Sequence, residues 1–411
     1  MTSTNSGLAE TPRADSSASY VVKHVYLARA LRDFGDGFVA VLLPVYLTAI
    51  GLGPLEVGVV ATVALLGSAF MTLAIGALGN RVDQRTLLIA ASALMVATGL
   101  AFASTYAIVL LVALVGTINP SSGTVSVFVP LEHAVLSRAV TDAERTRMFA
   151  RYSLIGALAA AAGALGAASP DALAALGVSR LTALQAMFVI YAILGLAGGI
   201  AYARMPVDQT PAGDRPVAAL GPSRRIVYAM AALFSIDAFA GGFAVQSLVA
   251  LWLFGKFGLS LSTAGLFFFW SGVLAAFSFP VAAWLSRRIG LVNTMVYTHI
   301  PSSVCLILAA TVPSLELALG LLLVRAALSQ MDVPTRSSYV MAVVTPPERP
   351  AAASVTSVPR SLASAIGPAI AGALFAAGYT AWPLVICGLL KIAYDLALLW
   401  AFGHVKPPEE Q

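Results

Sequence analysis

The chain is 411 residues long, 59% hydrophobic and only 10% charged, against roughly 25% charged residues in an ordinary soluble domain. That composition excludes a water-soluble fold; with about 20 residues per spanning helix, twelve crossings take about 240 residues and leave room for short connections. The net charge of +5 would suggest nucleic-acid binding in a soluble protein. Here the cations cluster at the ends of apolar runs, where membrane topology accounts for them.

Residues 1–25 lack the apolar run of a secretory signal and are expected to form a disordered cytoplasmic tail. Apolar runs between polar breaks then predict six helices, over about 26–50, 55–79, 85–105, 107–138, 149–169 and 181–203. Pro206 to Ser223 contains Asp208, Pro211, Gly213, Asp214, Pro216 and Gly221 and reads as a linker. Six more helices follow, over about 226–254, 260–284, 291–312, 316–342, 351–376 and 381–403. The expected organisation is an all-α membrane protein: a six-helix bundle over 26–204, a linker over 205–225, a second bundle over 226–404 and a tail over 405–411.

The two halves share sequence. Pro130, Val140-Thr141 and Glu144-Arg145 recur as Pro334, Val344-Thr345 and Glu348-Arg349, the step from 130 to 334 being 204 residues. In the same register Ser153, Leu158, Ala159 and Gly163 match Ser357, Leu362, Ala363 and Gly367. Repeated halves are how many secondary transporters build two gates around one central site.

Cations fall on one side of the predicted membrane: Arg81, Arg85, Arg145, Arg147, Arg204, Arg215, Arg224, Arg225, Arg287, Arg288 and Arg349. The other side keeps Arg180 and Lys256. Positively charged flanks are retained in the cytoplasm, so both termini and the linker are expected there. Cys305 and Cys387 lie apart inside apolar segments and suggest packing rather than a disulfide or metal site.

Between the second and third predicted helices the chain reads Gly76-Ala77-Leu78-Gly79-Asn80-Arg81-Val82-Asp83-Gln84-Arg85. This resembles the major facilitator superfamily signature G-x-x-x-[DN]-R-x-G-R-[RK], with Gly76, Asn80 and Arg81 in place and Asp83 where the second glycine stands. Ser286-Arg287-Arg288-Ile289-Gly290 keeps part of the pattern in the second half. The resemblance implies the fold of that superfamily, two pseudo-symmetric six-helix bundles, and a cytoplasmic gate of Gly76, Asn80, Arg81, Arg85 and Arg288. The plainer reading is a set of retained topology arginines. Two departures stand out. The arginine that many family members carry early in helix 4 is missing near Ile118. The exporter-associated G-P-x-x-G-G of helix 5 is reduced to Gly163-Ala164-Leu165-Gly166, while Gly367-Pro368-Ala369-Ile370-Ala371-Gly372 matches it better in helix 11.

An ionisable side chain at mid-bilayer costs about 2.5–3.5 kcal/mol on insertion scales and normally faces a polar cavity or a partner. Predicted helix 1 has Arg29, Arg32, Asp33 and Asp36, helix 4 has Glu132, helix 7 has Asp237, and helix 10 has Arg325, Asp332 and Arg336. Arg360 in helix 11 and Lys391 and Asp395 in helix 12 complete the set. The resemblance implies that helices 1, 4, 7 and 10 line the central cavity. Residues four apart share a helix face, which predicts the pairs Arg29–Asp33, Arg32–Asp36, Asp332–Arg336 and Lys391–Asp395. Glu132 and Asp237 have no such neighbour, so their partners must come from other helices, cargo or protons. Asp36, Glu132 and Asp237 are the proton-coupling candidates, and Asp33, Asn119, Asp332 and Arg336 the candidates for the substrate cavity.

Glu132 and Arg336 stand one repeat apart and carry opposite charges, so they either pair across the halves or are neutralised each in its own half, Glu132 by His133 or a backbone group. His299 and the pair Lys391–Asp395 read as structural. Asn119-Pro120-Ser121-Ser122-Gly123 marks either local unwinding or an ordinary kink within predicted helix 4. The chain lacks HExxH and GxxxxGK[ST] motifs, so neither an intramembrane metalloenzyme nor nucleotide-driven transport is suggested. The expected protein is not an enzyme and needs no cofactor, metal or nucleic acid. It is expected to work as a monomer in the bacterial inner membrane, with protons, the lipid bilayer and a small organic solute as partners. Proton-coupled efflux is the reading, with uptake or facilitated diffusion as the rival.

Overall fold

The computed structural model describes residues 12–78, 82–104, 109–115, 117–121, 126–139, 142–206, 220–345 and 348–403. The first half contains α1 (Pro12–Ala49), α2 (Pro54–Leu78), α3 (Gln84–Ser104), α4 (Val109–Val115), α5 (Phe128–Ala139), α6 (Asp142–Gly166), the short α7 (Ser169–Ala175) and α8 (Arg180–Ala203). The second contains α9 (Arg224–Gly242), α10 (Gln246–Phe257), α11 (Leu261–Ile289), α12 (Leu291–Thr311), α13 (Leu315–Ser329), α14 (Asp332–Val343), α15 (Arg349–Ala376) and α16 (Trp382–Phe402). These make the twelve expected crossings, six per half, with α4 and α5, α9 and α10, and α13 and α14 each sharing one. No strand occurs among the described residues.

The broken crossings have local causes. Pro130 and Pro334 are each the third residue of their helix, α5 and α14, where a missing N–H costs no intrahelical bond. The two helices begin at 128 and 332, so the structure repeats the 204-residue step seen in the sequence. Pro120 lies in the non-helical stretch 117–121, so the fourth crossing is unwound there rather than merely kinked; Ser122 and Gly123 lie outside the described residues. Gly241-Gly242 closes α9, as expected of residues with low helix propensity. Ser179, Ser260 and Ser314 each accept the backbone N–H three residues on and start α8, α11 and α13.

Some boundaries differ from the sequence reading. Helix α1 begins at Pro12, not near residue 26: a proline preset for the first turn leads an Ala- and Ser-containing run into the spanning part, and His24 Nδ1 bonds the Tyr20 carbonyl at 2.8 Å. Likewise α6 begins at Asp142 rather than 149.

Glycines set the closest helix approaches, as small residues do in membrane bundles. A side chain at Gly37 would collide with the backbone of Ala160, and one at Gly163 with the backbone of Phe34, so α1 and α6 meet backbone to backbone. Gly58 and Gly372 make the same contact between α2 and α15. That second contact joins the halves. Gly265 and Gly272 of α11 against Ala164 and Ala161 of α6 do so as well. Among the described residues, two hydrogen bonds cross between halves: Ala369 N–H donates to Thr62 Oγ1 at 3.0 Å, and Ser247 N–H to the Pro120 carbonyl at 3.1 Å. The Gly58–Gly372 and Thr62–Ala369 contacts lie toward the end of the bundle that carries the turn at Gly51. The arginine-rich end, with Arg85 and Arg288, is the end where a cavity forms.

Candidate functional site

Each half holds a buried charge network. In the first, Arg32 of α1 grips Glu132 of α5 with both terminal nitrogens, Nη1 to Oε1 at 3.0 Å and Nη2 to Oε2 at 3.0 Å. The Tyr202 hydroxyl donates to Oε1 and the Tyr152 hydroxyl to Oε2, each at 2.5 Å. Four bonds thus satisfy a carboxylate with 0% exposure, the condition under which a buried charge is tolerated. Arg29 Nε lies 2.6 Å from Asp33 Oδ2, and Arg32 Nε 3.4 Å from Asp33 Oδ1. Arg29 lies over the Tyr152 ring and Arg32 over the Phe128 ring, both at 4.6 Å.

Asp36 is different. It is 1% exposed, and its hydrogen bond comes from the Tyr191 hydroxyl at 3.3 Å. Among the described residues no cation lies within ion-pair distance of it. Tyr191 also meets Thr117 in the unwound stretch of the fourth crossing, its hydroxyl 3.2 Å from Oγ1 and 3.3 Å from the carbonyl. Asp36 is therefore tied through one phenol to the break in the neighbouring crossing.

In the second half Asp237 of α9 is the hub. Arg336 Nη1 donates to its Oδ2 at 3.0 Å, and Lys391 Nζ to its Oδ1 at 2.6 Å. Arg336 Nη2 also holds Asp332 at 2.5 Å. Lys391 Nζ stands 3.3 Å from His299 Nε2, and His299 Nδ1 is 3.0 Å from both oxygens of Asp395. A continuous chain of polar contacts thus runs Asp332–Arg336–Asp237–Lys391–His299–Asp395 across α14, α9, α16 and α12.

The i,i+4 pairs Arg29–Asp33 and Asp332–Arg336 form as expected. Arg32–Asp36 does not: Arg32 turns to Glu132, where two bonds replace one, and Asp36 faces Tyr191 instead. Lys391–Asp395 does not form either, because Lys391 reaches Asp237 and His299 supplies the partner of Asp395. His299 is accordingly a link in the network rather than a peripheral support. Glu132 and Arg336 are each neutralised within their own half, yet His133 is not the partner of Glu132; its ring packs against those of Phe149 at 4.7 Å and Tyr152 at 5.0 Å. Asn119 Oδ1 accepts the Ser121 N–H at 2.9 Å and is 3% exposed. Tyr152, Tyr191 and Tyr202 were not found by spacing, because they come from α6 and α8, helices distant in sequence from the acids they serve.

Of the gate residues, Gly76 lies in α2, while Asn80 and Arg81 lie outside the described residues. Arg85 donates through Nε to the Tyr202 carbonyl at 3.3 Å and through Nη2 to the Ala203 carbonyl. It thereby satisfies the carbonyl end of α8 and ties the signature loop to the residue whose hydroxyl holds Glu132. Arg288 rests on the Trp284 ring at 4.6 Å. At the same end Glu348 accepts from Ser223 Oγ at 2.6 Å, Thr345 Oγ1 at 2.5 Å and the Gly221 N–H. These bonds pin the end of the linker, and the hydroxyl bonds from Ser223 and Thr345 push the carboxyl down to about 2.

A cavity of about 330 Å³ opens at this end between α9, α14 and α15, with Phe234, Arg336, Ser337, Met341, Ser357 and Arg360 in its wall. That volume lies at the small end of ligand pockets.

Two six-helix bundles packed against each other, each with a buried charge network and with a cavity beside Arg336 in the second, make the fold of a membrane secondary transporter. The model of the Major Facilitator Superfamily matches residues 25–324 and 229–411, and the chain belongs to that superfamily. An uncharacterized membrane protein of Saccharomyces cerevisiae is 23% identical over 424 residues, which cover 94% of each chain. Among solved structures, a bacterial homologue of the human lysosomal transporter Spinster, in its inward-facing and unoccupied conformation, is 16% identical, covers 96% of each chain and has a TM-score of 0.68. The nucleoside transporter NupG is 14% identical over 93% of this chain and 99% of its own, with a TM-score of 0.70. At such identities the likeness is one of fold.

Proposed function

We propose that this protein exports a small organic solute across the bacterial inner membrane in exchange for protons, as a monomer with both termini in the cytoplasm. The observation that carries the proton coupling is Asp36. Glu132 and Asp237 are each held by cations, whereas Asp36 is buried with one phenol as its partner. A carboxylate with no counter-charge in a spanning helix is most readily accommodated by taking up a proton. Asp36 is the coupling acid; Glu132 and Asp237 act through their ion pairs, which rearrange as the protein cycles. Arg336 lines the cavity with Asp332 bonded to it, whereas Asp33 and Asn119 belong to the first half and are not among the lining residues.

Export rather than uptake is favoured by Gly367-Pro368-Ala369-Ile370-Ala371-Gly372, the exporter-type pattern carried by α15. With the arginine-rich end in the cytoplasm, the cavity beside Arg336 lies on the inward side, and Gly76, Asn80, Arg81, Arg85 and Arg288 form the gate that closes when the protein opens outward. Solute flux in proteoliposomes under an imposed pH gradient, screened over a chemical panel, tests this reading. Accumulation of a solute against its gradient, driven by counter-moving protons, is expected. Solute movement indifferent to both the size and the sign of the pH gradient would refute the coupling.

A further inference from the structure

The cavity carries a cation that the ion-pair networks do not use. Arg336 faces it but is committed to Asp237 and Asp332. Arg360 also lines it and is exposed there. Among the described residues Arg360 makes neither hydrogen bond nor ion pair. It stands about 16 Å along α15 from the helix start, deep enough that a guanidinium needs a partner or a polar space.

The charge balance of the halves agrees. With histidine neutral, the crossings of the second half carry, away from their ends, Arg325, Arg336, Arg360 and Lys391 against Asp237, Asp332 and Asp395. The buried charged side chains of the first half are Arg29 and Arg32 against Asp33, Asp36 and Glu132. The uncompensated acid is the buried Asp36, and the uncompensated base that meets the cavity is Arg360. Around it, Ser337, Ser357 and Thr356 add hydroxyl groups, each donating back to a carbonyl of its own helix, and Phe234 and Met341 add apolar side chains. A planar fork of donors matches a carboxylate or phosphate, and the apolar wall suits an organic body.

We infer that the transported solute is a small organic anion whose anionic group is received by Arg360. This rests on the transporter reading given above and names its substrate class. The test is binding to the purified full-length protein in detergent, with no gradient present, read as thermal stabilisation across a concentration series. Probes are matched pairs, hexanoate with hexanamide and benzoate with benzamide, together with benzylphosphonate and inorganic phosphate. At least one organic acid is expected to bind, and more tightly than its neutral partner. Arg360→Gln should weaken that binding roughly ten- to hundredfold, the loss of a charge-assisted bond, and Arg360→Lys should restore part of it. Carboxylate against phosphonate preference then identifies the anionic group. The inference is overturned if no organic acid binds, if the amides bind as well as the acids, if inorganic phosphate binds as well as any organic acid, or if Arg360→Gln binds like the parent. Gradient-driven flux of a neutral solute, unchanged in Arg360→Gln, would sink the anion and leave proton coupling standing; anion binding without proton-driven flux would do the reverse.

Discussion

Glu132 and Arg336 hold the same place in two copies of one helix and carry opposite charges. Each is the fifth residue of a 12-residue helix, α5 or α14, and the helices start 204 residues apart, at 128 and 332. Each is neutralised at home: Glu132 by Arg32, Tyr152 and Tyr202, and Arg336 by Asp237 and Asp332. Duplication has supplied the scaffold of an ionic bond to each half, and divergence has reversed its polarity. A proton or solute that disturbs one network therefore acts first on its own bundle.

Breaking one side of such a bond leaves an uncompensated charge in a dry place. Glu132→Gln should destabilise the protein by about 3–5 kcal/mol, visible as a lower melting temperature in detergent. Arg32→Gln alone should cost a similar amount. The double variant should cost clearly less than the two together, because the stranded charge is gone. Additive losses would show that Arg32 and Glu132 do not act as a pair.

The backbone contact at Gly58 and Gly372 lies where the halves close. Gly58→Leu places a side chain against the Pro368 carbonyl and the Gly372 backbone, and overpacking of this kind costs about 1–3 kcal/mol. The closed end should therefore open more often. In a background lacking Cys305 and Cys387, a Thr62→Cys reporter should react with a hydrophilic thiol reagent roughly tenfold faster when Gly58→Leu is present. An unchanged labelling rate would mean that this contact does not hold the end shut.

Glu348 gives the linker clamp a pH dependence. Its carboxyl is lowered from an ordinary 4.5 to about 2 by bonds to Ser223 and Thr345. A depressed acid contributes stability that is full above its unfolded value and is lost as pH falls through the folded one. The melting temperature of the parent should exceed that of Glu348→Ala at pH 7, and the gap should narrow only as pH falls from about 4.5 toward 2. A gap that is constant across that interval would refute the clamp.

The sequence carried the architecture because membrane helices announce themselves. Apolar runs, alternate-loop arginines and the 204-residue echo depend on local composition, and the structure follows them nearly residue by residue at Pro130 and Pro334. Side-chain pairing was legible only where it stayed on one helix, as with Arg29–Asp33 and Asp332–Arg336. It failed where a second helix offered a better partner: Glu132 took Arg32 from Asp36, and Asp237 took Lys391 from Asp395. A spacing rule sees one helix face and cannot weigh a bidentate contact from another helix against a single local one. The tyrosines were hidden for the same reason. Nothing around Tyr152, Tyr191 or Tyr202 in the chain marks them as donors to α1 and α5, and Arg360 looked like one more helix 11 charge until the cavity beside it was visible.

Asp36 carries the proposed proton coupling, and an isosteric substitution tests that role most directly. Asp36→Asn preserves the acceptor for Tyr191 and removes the titrating group, so the fold and the closed end should be unaffected. With a solute identified by the flux screen, two rates are measured in the same proteoliposomes: accumulation driven by a pH gradient, and solute-for-solute exchange without one. Asp36→Asn is expected to abolish the first and retain the second. If the variant still concentrates solute against its gradient at the parental rate, Asp36 is not the coupling acid and the proposed mechanism is wrong.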